Sequence, residues 1–403
     1  MSFRYIAGLL GKAPTVVGPV DGEGGSAPGI WSTASQANLQ ALGTWPKPVI
    51  PKQLWSFGDG SSGRLGVGGG VNKSSPTQVG SLDTWSKIAC SVGNAYTIAI
   101  QKDGTLWTWG LNNFGQLGLN STYTRYTPNQ VGALTTWYKA AGGNGHTIAV
   151  KTDGTLWTWG QNNYGQLGLG NITDYSSPKQ VGALNNWYKV AGGNTHTISI
   201  KTDGTLWAWG YNANGQLGLG NTTNRSSPMQ VGALTTWLDI ACGTQHSLAT
   251  KTDGTLWVWG SNNNGQLGLG NTTSYSSPKQ VGSLTTWATI SGGFNDTIAT
   301  QKDGTLWTWG RNNNGQLGLE NTSYYSSPKQ VGALTTWATA AAGNTHSMAI
   351  KTTGQLWTWG LNTSGQLGLG NTTSYSSPKQ VGSLTTWLSI TAGENFTITL
   401  KTT

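Results

Sequence analysis

One fourteen-residue phrase recurs along this chain at a fixed interval. It reads LWTWGLNNFGQLGL at Leu106, and near copies begin, each 50 residues after the last, at Leu156, Leu206, Leu256, Leu306 and Leu356. A degenerate copy, LWSFGDGSSGRLGV, begins at Leu54. A period of this length indicates stacked repeats, in which each unit buries its apolar face against its neighbours. We therefore expect one continuous repeat domain, although a length of 403 residues alone would suggest two or three domains.

Each unit contains strand patterns and no helical periodicity. In the unit that begins at Trp137, the runs YKAAGG, HTIAVK and LWTWG have the character of strands, and the last places Trp157 and Trp159 on one face. The TDGT between the second and third runs predicts a hairpin turn, because Gly accepts a positive φ. A fourth run, KQVG, follows Ser-Ser-Pro and suits an edge strand, since Pro has no N–H to donate.

Four antiparallel strands per unit predict an all-β fold, a seven-bladed β-propeller. The LWxW/FG phrase occurs seven times, and a second run that starts with Trp also occurs seven times, at Trp85, Trp137, Trp187, Trp237, Trp287, Trp337 and Trp387. The last unit stops before its LW strand, and the first lacks the strands that should precede it. We therefore expect residues from about Trp387 to Thr403 to pair with Leu54–Phe57 and close the ring.

The repeat resembles that of a known family. The stretch GNTHTISIKTDGTLWAWGYNANGQLGLG is similar to the repeat of the regulator of chromosome condensation family, and the resemblance covers Leu54 to Thr403. It implies a seven-bladed propeller. It could also imply guanine-nucleotide exchange on a small GTPase, an activity that uses features placed on individual blades. These blades are nearly identical and carry no large insertion, which disfavours exchange.

Four histidines share one repeat position, namely His146, His196, His246 and His346, and Tyr96, Asp296 and Phe396 replace them in the other units. A ring of metal ligands is one interpretation, but no carboxylate recurs nearby to orient the imidazoles. The other is a structural hydrogen bond between adjacent strands, which we favour. The tryptophan pairs Trp107/Trp109 and Trp157/Trp159 could similarly be sugar-stacking platforms, but their strict repetition favours packing between blades.

Two exposed sets could contact a partner. One lysine per unit flanks the hairpin turn, at Lys102, Lys151, Lys201, Lys251, Lys302, Lys351 and Lys401, as solvated turn residues or as a ring for an anionic partner. The loops after GQLG vary most between units, and we predict contact residues there at Tyr123, Arg125, Tyr175, Arg225, Tyr275, Tyr325 and Tyr375. Asymmetric positions are further candidates: Arg64, Phe114, Phe294, Asp296, Arg311, Glu320 and Phe396.

The residue inventory disfavours enzyme chemistry. The chain has 14 acidic residues, and no Ser–His–Asp set, metal-ligand spacing or phosphate loop stands out. We expect no catalytic residues, cofactor or metal. Cys90 and Cys242 occupy one repeat position in non-adjacent units, too far apart for a disulfide, and are predicted to be small buried residues.

Residues 1–52 depart from the repeat. A flexible GPVDGEGGSAPG stretch precedes a predicted short helix in IWSTASQANLQALGTWP, and PKPVIPK reads as a stiff linker. The sequence SAPGIW…LGTWP is similar to short head segments on virion proteins of tailed bacteriophages. We predict a docking segment over residues 1–52, with Phe3, Tyr5, Trp31 and Trp45 as anchors, and a propeller over residues 53–403.

These observations predict a non-enzymatic structural or binding propeller. The first hypothesis is a bacteriophage virion component, anchored to other virion proteins through residues 1–52, with blade loops facing a host surface protein or glycan. The alternative is a soluble, cytoplasmic protein-binding propeller that inhibits, regulates or scaffolds a partner. The net charge of +9 invites a nucleic-acid interpretation, but most lysines sit at two fixed repeat positions, which disfavours it. No signal peptide or membrane-spanning stretch is predicted, and an oligomer could form through the first segment.

Overall fold

The computed structural model describes residues 50–90, 93 and 95–403. A compact unit spans Lys52–Thr403, and its only helix among these residues is the short 3₁₀ turn Ser61–Gly63. No helix of the described residues is long and apolar enough to cross a membrane. The strands in chain order are β1 (Lys52–Gly58), β2 (Lys73–Gln78), β3 (Trp85–Cys90), β4 (Tyr96–Gln101), β5 (Leu106–Gly110), β6 (Arg125–Gln130), β7 (Trp137–Gly142), β8 (His146–Lys151), β9 (Leu156–Gly160), β10 (Tyr175–Gln180), β11 (Trp187–Gly192), β12 (His196–Lys201), β13 (Leu206–Gly210), β14 (Arg225–Gln230), β15 (Trp237–Cys242), β16 (His246–Lys251), β17 (Leu256–Gly260), β18 (Tyr275–Gln280), β19 (Trp287–Gly292), β20 (Asp296–Gln301), β21 (Leu306–Gly310), β22 (Tyr325–Gln330), β23 (Trp337–Ala342), β24 (His346–Lys351), β25 (Leu356–Gly360), β26 (Tyr375–Gln380), β27 (Trp387–Ala392) and β28 (Phe396–Thr402).

These strands form seven four-stranded antiparallel sheets, which confirms the all-β, seven-bladed propeller. Six blades use consecutive strands, and we number them from the first (β3–β6) to the sixth (β23–β26). The seventh, composite blade has the order β2-β1-β28-β27. In it Leu54 pairs with Leu400 and Phe57 with Thr397, as predicted for ring closure. The first strand of every blade contacts the first strands of both neighbouring blades, so these strands surround the propeller axis.

The core lies between blades rather than within them. One cluster joins Ile98 and Leu106 of the first blade to Trp137 and Trp159 of the second. Each central strand is therefore covered on both faces, and all six residues of β8 are buried. Alternate residues of HTIAVK therefore face the two neighbouring blades, and neither face of the strand is turned to solvent. Thr147 within it is satisfied by a hydrogen bond, because its Oγ1 donates to the Gln116 carbonyl at 2.7 Å.

Two positions show why glycine recurs at fixed places in the repeat. Gly154 in the TDGT turn has φ +78°, the positive value that the hairpin prediction required. Gly168, which ends GQLG, has φ +72°, and a Cβ there would lie 2.8 Å from Nε1 of Trp209 in the next blade. Each repeat unit therefore carries one glycine that forms the hairpin turn and another, at the end of GQLG, that leaves room for the tryptophan of the following blade.

The fourth strand begins earlier than the sequence analysis placed it. KQVG was expected to form this strand after Pro, but β10 runs Tyr175–Gln180 and includes Pro178. Pro is accepted because β10 is an edge strand that pairs only with β9, and its register shifts between Tyr175 and Lys179. The helix predicted between Trp31 and Gly43 lies outside the described residues.

The strand directions give the propeller two different faces. The hairpin face carries the turns between second and third strands, such as 202–205, and the linkers between blades, such as 181–186. The loop face carries the turns between first and second strands, such as 193–195, and the long loops such as 211–224. Every candidate residue from Leu54 onwards can be assigned to one face or to the interior.

Candidate functional site

The four repeated histidines lie in the interior and connect neighbouring blades. His146 Nε2 lies 2.9 Å from Thr197 Oγ1 of the next blade, and the same contact recurs from His196 to Ser247, from His246 to Thr297 and from His346 to Thr397. Because Thr197 Oγ1 itself donates to the Gln166 carbonyl, Nε2 of His146 is the donor. Burial lowers the pKa of these imidazoles, to about 3 for His146 and about 4 for His246, so they are neutral at pH 7.

Tyr96, Phe396 and Asp296 occupy the histidine position in the other three blades, and each makes different contacts there. Tyr96 Oη donates to the His146 carbonyl and so still connects two blades. Phe396 packs beside the guanidinium of Arg64, whose Cζ lies 5.8 Å from its ring centroid. Asp296 is 1% exposed, and burial raises its pKa well above the usual range. Its Oδ1 makes no hydrogen bond within the described residues.

The two tryptophans of each LWxWG strand have different roles. Trp159 is fully buried, and its Nε1 donates to the Gln116 carbonyl of the preceding blade at 2.9 Å. Trp157 is half-buried, and its ring centroid lies 6.3 Å from that of Trp137. Trp109 is buried like Trp159, whereas Trp107 is half-buried like Trp157. Only the first tryptophan of each pair therefore presents any surface to a ligand.

The lysines beside the hairpin turns are packed on these half-exposed tryptophans. Lys201 Nζ lies 3.6 Å from the ring centroid of Trp207, and Lys151, Lys251 and Lys351 repeat the contact. In the first and fifth blades Gln101 and Gln301 end the second strand, so Lys102 and Lys302 lie one residue later, in the turn. The neighbouring aspartates shape the turns: Asp153 Oδ1 accepts from both the N–H and the hydroxyl of Thr155.

Six of the seven predicted contact residues lie at the loop-face end of the outermost strands. Of the seven, only Tyr123 lies in a loop, where it is 73% exposed. The other six each begin a fourth strand and are half-buried: Arg125, Tyr175, Arg225, Tyr275, Tyr325 and Tyr375. The structure therefore spreads this set around the rim and does not gather it into one site. The predicted anchors Phe3, Tyr5, Trp31 and Trp45 lie outside the described residues.

The hairpin face exposes an apolar side chain in every blade. A leucine in each linker is 45–50% exposed, and together these form the leucine ring: Leu82, Leu134, Leu184, Leu234, Leu284, Leu334 and Leu384. Grooves lie beside the ring between neighbouring blades. One groove, of about 370 Å³, is lined by Leu184, Trp187, Trp207 and Pro228, and four others have equivalent linings.

A charged arc near the axis was missed by the sequence analysis. The third residue of each innermost strand occupies one register position, and these residues are Lys87, Lys139, Lys189, Asp239, Thr289, Thr339 and Ser389. Charge is thus confined to four consecutive blades. The sequence signal for the arc is the change from Lys to Asp to Thr or Ser at this one position across the seven repeats.

No reactive constellation is visible in the part of the chain that the structure describes. Cys90 and Cys242 are free and buried, and burial raises the pKa of the Cys90 thiol to about 12. No group of three His, Cys, Asp or Glu side chains within the described ranges could hold a metal ion. The four histidines, which a metal interpretation would bring together, instead each contact a hydroxyl of the next blade.

Comparison with known families agrees with this architecture. The profile of the regulator of chromosome condensation (RCC1) repeat matches seven segments, at residues 53–100, 103–150, 153–200, 203–250, 253–299, 303–350 and 353–400. Among curated proteins, human E3 ubiquitin-protein ligase HERC2 is 33% identical over 81 residues, which is 20% of this chain and 2% of HERC2. The ultraviolet-B receptor UVR8 of Arabidopsis thaliana is 34% identical over 80 residues, 20% of this chain and 18% of UVR8.

Solved structures extend the similarity to the whole propeller. Prp20p of Saccharomyces cerevisiae, described with its binding to Gsp1p and histones, has a TM-score of 0.77 at 22% identity and covers 88% of this chain and 92% of its own. Human WBSCR16 has the same TM-score and identity, with coverages of 87% and 99%. At this identity the likeness establishes the fold alone. The curated relatives share only a small part of their length with this chain.

Proposed function

We propose that this chain, which belongs to the regulator of chromosome condensation (RCC1) repeat family, is a non-enzymatic propeller that binds a protein partner on its hairpin face. Propellers of this family include Prp20p, for which binding to Gsp1p and histones is described. The interior of this chain is used for blade-to-blade contacts, with neutral histidines and buried thiols. What is left for function is the surface.

The leucine ring is the observation that supports the hairpin face. Each leucine is about half exposed, although most other repeated aliphatic side chains are buried. Half-exposed tryptophans and lysines surround it, and aromatic and aliphatic groups beside flexible cations suit the core and rim of a protein interface. The loop face exposes large apolar groups in some blades only, such as Ile172 and Tyr164.

The test compares two matched triple variants of the full chain. One replaces Leu184, Leu284 and Leu384 by Glu on the hairpin face, and the control replaces the exposed Thr222, Thr272 and Thr372 by Glu on the loop face. Proteins captured by crosslinking in cells that express the chain would be quantified by mass spectrometry. We expect a stoichiometric partner that the leucine variant loses and the threonine variant keeps. Equal capture by both variants would refute the hairpin face as the docking surface.

Display on a bacteriophage particle stays a prediction, in which residues 1–52 anchor the chain to other virion proteins. Residues 1–49 lie outside the described part of the chain, and the relatives reported above are an E3 ubiquitin-protein ligase, an ultraviolet-B receptor and Prp20p. Native mass spectrometry of the full chain beside a chain without residues 1–52 measures whether this segment drives assembly. A defined oligomer formed only by the full chain would support an assembly role, and two monomers would remove it.

A further inference from the structure

The charged arc near the axis forms a ladder of lysines and tyrosines. Lys87 Nζ lies 3.9 Å from the ring centroid of Tyr138 on the next blade, and Lys139 Nζ lies 3.9 Å from that of Tyr188 on the blade after. Lys139 also lies 5.0 Å from its neighbour Tyr138. Three amines on three successive innermost strands are thus held beside two partly exposed rings, which we call the Lys–Tyr arc.

An ion pair at the end of the arc shows that a carboxylate can pair with a lysine at this strand position. Asp239, on the next innermost strand, places its Oδ1 2.8 Å from Lys189 Nζ. A carboxylate therefore already pairs with one amine of the arc. Among the described residues no carboxylate forms an ion pair with Lys139, which lies between Lys87 and Lys189. Lys139 is half-buried, so its amine is partly removed from water, while Asp239 forms its ion pair with Lys189.

From these contacts we infer that the Lys–Tyr arc binds an acidic segment of the protein partner, with a carboxylate of that segment reaching Lys139. The inference rests on the proposed function, because the arc lies on the hairpin-face half of the innermost strands, on the same side as the leucine ring. The exposed residues at the position of Tyr138 and Tyr188 on the other innermost strands are apolar, namely Leu238, Ala288, Ala338 and Leu388. An acidic segment with aliphatic side chains complements both parts of the rim.

A nucleic-acid strand fits the same arc less well. Single-stranded nucleic acids bind aromatic side chains by stacking bases on their faces. Here the amines of Lys87 and Lys139 lie 3.9 Å over the two tyrosine rings, so a face of each ring is covered. The main-chain carbonyl of Tyr138 further fixes Lys87, whose Nζ donates to it at 2.6 Å. The amines are therefore held in place and the rings serve to position them.

The experiment measures binding of the full chain to a fluorescent Glu-Ser-Gly repeat peptide by anisotropy, with a Gln-Ser-Gly peptide as the neutral probe. We expect the acidic peptide to bind and Lys139→Met to weaken binding about tenfold. Lys329→Met is the matched control, because Lys329 is an exposed lysine beside a tyrosine on an outer strand. It removes the same charge and should change affinity less than about twofold.

A second variant is expected to strengthen peptide binding, which a loss of folding could not cause. Asp239→Asn releases Lys189 from its ion pair and should strengthen peptide binding about threefold. Equal affinities of wild type, Lys139→Met and Asp239→Asn would overturn the inference. Tighter, Lys139-dependent binding of single-stranded oligothymidylate of the same charge would also overturn it. If the leucine variant still loses its partner in either case, the proposed function stands and only the acidic segment is wrong.

Discussion

Arg64 Nη1 lies 2.9 Å from Asp59 Oδ2, and this ion pair sits where the ring closes. The Arg64 side chain is 7% exposed, and its Nη1 is also 3.6 Å from Glu394 Oε2, in the turn between β27 and β28. The first and last parts of the repeat domain are thus connected by one guanidinium. The other six blades carry Gln at the position of Arg64, so the ion pair is specific to the composite blade.

We predict that Arg64→Met destabilises the propeller by about 2 kcal/mol, because it leaves Asp59 and Glu394 without their cation. Breaking a buried pair costs more than that, but the two carboxylates are partly exposed. Urea unfolding followed by tryptophan fluorescence measures the change. The triple variant Arg64→Met, Asp59→Asn, Glu394→Gln removes the orphaned charges as well and should recover most of the loss. No recovery would mean that the hydrogen bonds of the guanidinium to Ser61 and its packing against Phe396, not charge, stabilise this corner.

The buried histidines predict a loss of stability in mild acid. Folding lowers the pKa of His146 and His196 to about 3 and that of His246 and His346 to about 4, whereas an unfolded chain binds the proton near 6.5. The unfolded state therefore takes up more protons below pH 6.5, and stability falls as the pH drops towards 4. At pH 5 each histidine costs about 2 kcal/mol, or about 8 kcal/mol together.

The control for this prediction removes one titrating group and keeps its hydrogen bond. His346→Gln can still donate to Thr397, so the part of the change in unfolding free energy between pH 7 and 5 that comes from the histidines should fall by about a quarter, or about 2 kcal/mol. An unchanged slope would show that other groups carry the acid sensitivity. The turn aspartates, such as Asp153, have a lowered pKa and stay charged over this interval, so they contribute little to the change. Asp296, whose pKa is raised by burial, binds a proton more readily in the folded state and opposes the loss.

The sequence predicted the fold well because periodicity reports how units stack. Counting the repeats gave the blades, and the incomplete last unit gave the pairing of β28 with β1. The sequence predicted the positions of exposed candidate residues less well. Tyr175 and its equivalents looked like loop residues because Pro178 masks the strand that contains both. Lys87, Lys139 and Lys189 were missed because they become neighbours only around the axis, about 50 residues apart in sequence but on adjacent strands.

Asp296→His is predicted to stabilise the protein by about 1–2 kcal/mol at pH 8. Burial raises the pKa of Asp296, so its charged form is costly at high pH and its Oδ1 has no partner among the described residues. Gly293 is retained at the position where Gly143 leaves room for the His146 ring, so an imidazole has space. By analogy with the His246–Thr297 contact, the new ring faces Ser347. Thermal unfolding measures the gain.

Two comparisons separate the hydrogen bond from the removal of charge. Asp296→Asn removes the buried carboxyl without spanning the distance to Ser347, and it should stabilise less than Asp296→His. In the double variant with Ser347→Ala the extra gain of the histidine should vanish. If Asp296→Asn and Asp296→His are equally stable, the blade-to-blade hydrogen bond contributes nothing at this position.

Binding of an acidic peptide should weaken as the pH rises from 7 to 9. Desolvation, then the neighbouring Lys189 and Lys87, lower the pKa of Lys139 to about 8, and Asp239 opposes this only partly. The amine is mostly protonated at pH 7, and roughly one molecule in ten keeps the proton at pH 9. The charge that attracts a carboxylate is therefore lost within this interval, and affinity for the Glu-Ser-Gly peptide should fall several-fold.

Lys139→Arg is the variant that decides the origin of this pH dependence. Arg keeps its charge at pH 9, so peptide affinity should stay constant where the wild type loses it. Lys139→Met should bind weakly at both pH values, which a general effect of pH on the propeller would not reproduce. A decline of equal size in the wild type and in Lys139→Arg would place the titrating group elsewhere on the hairpin face and would remove Lys139 as the contact for the carboxylate.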